Sequence, residues 1–183
     1  NCHRSREAYV QAKTNLFRHQ DASGITILNN DDPTCRTLKE MAPGTLLLYG
    51  SSPQSPGAWY EPTRDGQYKL FWNPAGEQEE LIGSDRIKLR GEHNLLNIAA
   101  AALAAAQAGA DRDSIVGAIS AYHGLEHRLE YVATVDGVQY FDDSFATAPE
   151  PTIVALRAFK EPIVLIAGGV DKGVDYLPLV EEI

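Results

Sequence analysis

The chain has 183 residues, 44% of them hydrophobic and 22% charged, enough to bury a core and to make one large domain or two small ones. A formal net charge of -9 argues against a general nucleic-acid or anionic-membrane surface, because a phosphate backbone rewards clustered Lys and Arg. The longest apolar stretch, Leu95–Ala110, is dominated by alanine and interrupted by Asn97 and Gln107, so it is too short and too weakly hydrophobic to span a bilayer.

In chain order, Ser5–His19 reads as a helix with Ser5 as its N-cap, and Tyr9, Ala12, Lys13, Leu16 and Phe17 fall on one face. Gly24–Leu28 is a short buried-type strand closed by Asn29-Asn30-Asp31-Asp32-Pro33, followed by a helix over Thr34–Met41 and a strand over Thr45–Tyr49. Alternating residues from Trp59 to Arg90, around Arg64-Asp65-Gly66 and Asn73-Pro74-Ala75-Gly76, predict a β-meander. Gly91-Glu92-His93-Asn94 opens an alanine-rich helix to about Ala108, and a second helix runs from Ser114 to Tyr122. Strands Leu129–Val135 and Val138–Phe141 are joined by Asp136-Gly137, a two-residue hairpin signal. Then come a helix over Pro149–Phe159, a strand over Ile163–Ala167, a Gly168-Gly169 turn and a helix from near Asp175. This alternation predicts an α/β chain with at least partly parallel pairing. A boundary near Gly124–His127 separates two domains, 1–125 and 126–183.

Asn1 is not a translation start, the only methionine is Met41, and Ile183 falls early in a helix, so the chain reads as cut from something larger. Cys2 and Cys35 have no CxxC spacing and read as free thiols of a reducing, cytoplasmic compartment.

Several residues admit both a structural and a chemical role. Lys13 sits in an apolar stripe, where a lysine commonly snorkels. Asn94 and Asn97 share a helix face; they can satisfy backbone groups or read the edge of adenine. His127-Arg128 lies at the proposed boundary, where the arginine could fork onto phosphate oxygens or simply pair with a carboxylate. Asp142-Asp143-Ser144 stands at the C-terminal end of a strand, where open α/β sheets place ligands, and a carboxylate there can bind ribose hydroxyls or help hold a cation. Thr147-Ala148-Pro149-Glu150 matches a capping box. Gly168-Gly169-Val170-Asp171-Lys172-Gly173 is not a GxGxxG fingerprint, and no GxxxxGK[ST] loop occurs in the chain.

Taken in order, Gly91-Glu92-His93-Asn94-Leu95-Leu96-Asn97, Gly124-Leu125-Glu126-His127-Arg128, Asp143-Ser144-Phe145-Ala146-Thr147 and Gly168-Gly169-Val170-Asp171-Lys172-Gly173 resemble the Mur ligase family. The DS-x-AT pattern looks like the D-glutamate-adding branch. The resemblance implies the later part of a central ATP-binding domain over 1–125 and the start of a Rossmann-like amino-acid-binding domain over 126–183. It implies ATP and Mg2+ as cofactors, with UDP-N-acetylmuramoyl-L-alanine and D-glutamate as substrates of a monomeric complete enzyme that works through an acyl phosphate. By the same resemblance Lys13 becomes a carbamate that ligates magnesium, and Asn94 and Asn97 face adenine. Arg128, with His127, reaches the ATP phosphates, and Asp143 holds the ribose. Thr147, Lys172 and Ser144 hold D-glutamate. Phe145 and Ala148 depart from the usual lysine and asparagine, and Asn1-Cys2 from a usual Asp-Arg pair. The family's phosphate loop and metal-binding histidine would lie upstream, so the piece by itself is expected to be inactive. The rivals are a related ligase, such as one adding a glutamate tail to folate, and a non-catalytic nucleotide-binding module.

Overall fold

The computed structural model describes residues 3–183; Asn1 and Cys2, one expected as part of a variant motif and the other as a free thiol, lie outside the described residues. The chain divides into two compact units, one formed by residues up to Arg86 together with Leu95–Ser120, the other by Ile87–Asn94 and Ala121–Ile183.

The first unit opens with α1 (Arg6–Thr14), where the Ser5 hydroxyl accepts from the Ala8 amide at 3.2 Å as an N-cap should. This helix stops five residues short of the expected His19 and continues only as turns. Thr14 and Phe17 are the buried residues, whereas Tyr9 and Leu16 are 47% and 78% exposed. The apolar stripe through Lys13 therefore does not form a buried face, because the face turned to the core lies one residue further round.

A five-stranded sheet follows in the order β1 (Ile25–Asn29), β2 (Thr45–Gly50), β3 (Gly57–Pro62), β4 (Tyr68–Trp72), β5 (Glu79–Gly83). The first three strands run parallel and the last three form the expected antiparallel meander. The parallel β1–β2 step needs a crossover. It is supplied by α2 (Pro33–Leu38), which is capped by Asp32 and has Pro33 in its first turn, where a missing N–H costs nothing. Ala58, Trp59 and Tyr60 are buried in succession, so β3 is covered on both faces. The indoles of Trp59 and Trp72 bury their rings and still donate to Glu61 and Glu79, at 2.9 and 2.8 Å.

Two helices complete the unit: α3 (Glu92–Gln107), whose first turn belongs to the second unit, and α4 (Arg112–Ala121). Along α3, Leu95, Ile98, Ala99, Ala102 and Leu103 recur at helical spacing and are buried, Leu103 completely. The alanines on this face let the helix lie close to its neighbours. Asp111 caps α4 through the Ser114 amide at 2.9 Å. Arg112 then reaches back to the carbonyls of Glu80 and Leu81 at 2.8 and 3.2 Å, tying α4 to β5.

The second unit holds the hairpin of β6 (Glu130–Val135) and β7 (Val138–Asp142), closed by Asp136 and Gly137 at φ 50° and 80°. Both turn residues are left-handed, as a type I′ turn requires, and Asp-Gly supplies this cheaply. α5 (Pro149–Arg157) and α6 (Leu177–Glu182) follow, tied by Arg157, which forks onto Glu182 at 2.9 and 2.5 Å. Two expectations fail here. The capping box at Thr147 does not form: Ala148 is the N-cap and no side chain caps α5. Ile163–Ala167 forms no strand; Val164 and Ile166 are 91% and 92% exposed, and an extended segment with no hydrogen-bonded neighbour is not a strand.

Candidate functional site

Two of the expected residues lie in the first unit. Lys13 is exposed on α1, its ammonium 5.4 Å from the centre of the Tyr9 ring. The only group of three or more His, Cys, Asp or Glu side chains able to hold a metal ion among the described residues lies elsewhere. Asn97 is exposed within α3.

The remaining candidates belong to the second unit. Asn94 donates to the Arg90 carbonyl at 2.7 Å, so its backbone-satisfying role is realised. The adjoining Gly91 has φ 88°, a left-handed backbone that favours glycine, and a Cβ there would stand 2.7 Å from the His93 ring and displace it. Burial, then the positive charge of Arg128, push the His93 imidazole down from its ordinary value, with Asp143 opposing. The segment is anchored by Arg90, a residue with no expected role. Its guanidinium lies 5.2 and 5.0 Å from the Phe141 and Phe159 ring centres and donates to Gln139 at 3.1 Å.

The turn before β6 concentrates the unusual backbone. His127 and Leu129 have φ 63° and 47°, left-handed values that cost a non-glycine residue about 1–3 kcal/mol and persist only where surroundings impose them. The surroundings are explicit. Glu130 accepts from the His127 amide at 2.7 Å, and Asp143 accepts from the Leu129 amide at 2.9 Å. The His127 carbonyl accepts from the Phe145 amide at 3.0 Å, and the His127 Nδ1 meets Asp142 Oδ2 at 2.8 Å. The other Asp142 oxygen accepts from the Ser144 amide at 2.8 Å. Between the two strained residues, Arg128 is exposed, and its guanidinium makes no ion pair or hydrogen bond among the described residues.

Sequence reasoning singled out the adjacent acids Asp142 and Asp143, gave a specific role to Asp143 alone, and passed over Glu130. The signal for Glu130 was its place three residues after His127. Asp142 could be matched to His127 only through the hairpin, which pairs Glu130 with Asp142. His127, Glu130 and Asp142 together offer ligand atoms within 4.8 Å of one another, a set able to hold a divalent cation.

The hydrogen bond to His127 is the main reason that the Asp142 carboxyl lies at about 2, and the same bond raises the imidazole above its ordinary value. The imidazole contribution is whole below the ordinary 6.5 and disappears as pH rises through the raised value. The carboxylate contribution is whole above the ordinary 3.8 and disappears as pH falls through about 2. The pair thus supports the turn fully between those two ordinary values. In two-dimensional NMR titrations His127 is expected to titrate above ordinary histidine and His93 below it; a His127 midpoint at or below that of His93 contradicts the pairing.

Lys172 and Thr147 are also brought together, the ammonium donating to the Thr147 carbonyl at 3.2 Å. Both side chains are exposed, as is Ser144.

A curated relative from Roseiflexus sp., a UDP-N-acetylmuramoylalanine--D-glutamate ligase, is 40% identical over 99% of this chain and 40% of its own length. Another of that name, from Symbiobacterium thermophilum, is 36% identical over 97% of this chain and 38% of its own. The chain therefore spans about 40% of the length of these relatives. Among solved structures, MurF from Acinetobacter baumannii superposes with a TM-score of 0.66 at 20% identity over 84% of this chain and 33% of its own. MurF ligase from Thermotoga maritima in complex with ADP gives 0.61 at 19% identity over 84% of this chain and 34% of its own, and both likenesses concern the fold alone. Residues 1–105 match the Mur ligase middle domain, and with more than half of its length inside that match the chain belongs to the Mur ligase family.

Proposed function

We propose that the chain is part of an ATP-dependent ligase that joins D-glutamate to UDP-N-acetylmuramoyl-L-alanine in peptidoglycan synthesis. The observation that carries this reading is the 40% identity, along nearly the whole chain, to a relative bearing that activity in its name. In this reading residues 1–125 are the later part of a central ATP-binding domain and 126–183 the start of a Rossmann-like domain, within a cytoplasmic, monomeric enzyme. No helix of the described residues is long and apolar enough to cross a membrane.

Each residue then has a task. Arg128, which makes no ion pair among the described residues, is suited to fork onto phosphate oxygens, and a protonated His127 adds a second positive charge. Their charge would oppose the negative charge that builds up as a phosphoryl group moves. Asp143 would take ribose hydroxyls while keeping its bond to Leu129. Asn94 and Asn97 would read the adenine edge. Thr147, Ser144 and Lys172 would hold the D-glutamate carboxylate, with Lys172 already drawn toward Thr147. Lys13, exposed and reachable by carbon dioxide, would as a carbamate give one oxygen to magnesium. ATP supplies the phosphoryl group that activates the alanine carboxylate, and magnesium when bound screens its phosphates.

The reading is tested in the full-length protein with ATP, magnesium, UDP-N-acetylmuramoyl-L-alanine and one amino acid at a time. Phosphate release is expected with D-glutamate alone. Equal turnover with meso-diaminopimelate or L-lysine overturns it in favour of another amide ligase of the family.

A further inference from the structure

We propose that Asp142 is a positioning residue: by holding the His127 ring from across the hairpin, it keeps the turn 127–129 in its left-handed form and Arg128 presented to the nucleotide phosphates. The inference rests on the reading of Arg128 given above.

The argument starts from the backbone. A left-handed residue on each side of one exposed arginine is a conformation that the local sequence does not favour, since neither His127 nor Leu129 is glycine. Something outside the turn must impose it. Four backbone groups of the turn are held, the His127 and Leu129 amides by Glu130 and Asp143, the Arg128 amide by the Leu125 carbonyl, and the His127 carbonyl by the Phe145 amide. The one side chain of the turn with a partner is His127, and its short bond is to Asp142 at 2.8 Å. Asp142 is itself fixed by the Ser144 amide, so the contact joins the turn to the loop that carries Asp143, Ser144 and Thr147. Phosphate-facing and amino-acid-facing candidates are thereby held to one another through Asp142. The imidazole is faced by three carboxylates, Asp142 from β7, Glu130 from β6 and Glu126 from the turn, of which Asp142 makes the bond.

The prediction separates charge from geometry. Asp142→Asn keeps a carbonyl oxygen able to accept from the imidazole and removes the charge; Asp142→Ala removes both. In the full-length protein, both variants should lower the His127 titration midpoint. Asp142→Ala should raise KM for ATP tenfold or more, with a smaller rise in KM for D-glutamate through the lost Ser144 contact, and Asp142→Asn should restore KM for ATP to within threefold of wild type. Unchanged far-UV circular dichroism and thermal midpoint exclude simple unfolding of the alanine variant, and the asparagine variant tests the contact independently. If Arg128→Ala loses ATP affinity and Asp142→Ala does not, the positioning role is wrong and the phosphate reading stands. If Arg128→Ala leaves ATP affinity intact, the phosphate reading falls, and this proposal with it. An Asp142→Ala variant whose His127 still titrates as in wild type also overturns the proposal.

Discussion

Replacing Arg128 by alanine in the full-length protein is expected to lower kcat/KM about 100- to 1000-fold, the usual cost of removing one preorganised charge from a developing anion. The expectation follows from where the residue stands. It is exposed, carries no ion pair among the described residues, and sits between two residues whose unfavourable backbone is pinned from outside. Nothing in the second unit uses its charge structurally, so the thermal midpoint should move little. Arg128→Lys should recover only part of the loss, because an ammonium cannot reproduce the fork of two parallel donors. Steady-state kinetics with ATP varied, beside a melting curve, checks both halves. A large fall in the melting temperature with no change in KM for ATP would assign Arg128 to the scaffold.

Leu103→Ala carries the largest expected effect on stability, about 2–5 kcal/mol by analogy with other fully buried leucines. Leu103 has no exposed surface, and its helix neighbours on the buried face, Ala99 and Ala102, are already small and buried. Alanines cannot reach into the space left by an isobutyl group, so the cavity term is added to the lost transfer energy. Urea unfolding at fixed pH measures the loss as a lower midpoint at unchanged slope. A cost below about 1 kcal/mol would mean that the face of α3 repacks freely.

Features that were legible beforehand depend on near neighbours in the sequence. Ser5 as a cap, Asp136-Gly137 as a hairpin turn and the turn-rich meander are decided by groups a few residues apart, and each forms as its local chemistry requires. The alanine-rich helix was visible for the same reason. Expectations that failed depended on what lies across space. The stripe through Lys13 had the right period, but a helix that ends at Thr14 turns Thr14 and Phe17 inward and leaves Tyr9 and Leu16 in solvent. Ile163–Ala167 has the composition of a buried strand, yet composition does not supply the neighbour that a strand needs. Thr147 had the spacing of a capping box, but the helix begins with Ala148 as its cap. Asp142 was noticed beside Asp143, but its link to His127 was not, because that link exists only once the hairpin sets the register. Arg90 was missed likewise, since Phe141 and Phe159 reach it only in the folded unit. The resemblance to the Mur ligases rested on four short motifs in order, and the family match over residues 1–105 agrees with it.

Arg112 was introduced as the tie between α4 and β5. Its guanidinium does more than join two elements, for β5 is the outermost strand of its sheet, and such a strand presents backbone groups on which a foreign chain can grow. By taking the carbonyls of Glu80 and Leu81, and standing 3.4 Å from Glu79, Arg112 puts a bulky charged group where an incoming strand would have to dock. Lys69 and Glu80 add a further ion pair on the neighbouring rung. The same residue that fastens a helix thus stands against edge-to-edge association at this margin of the sheet.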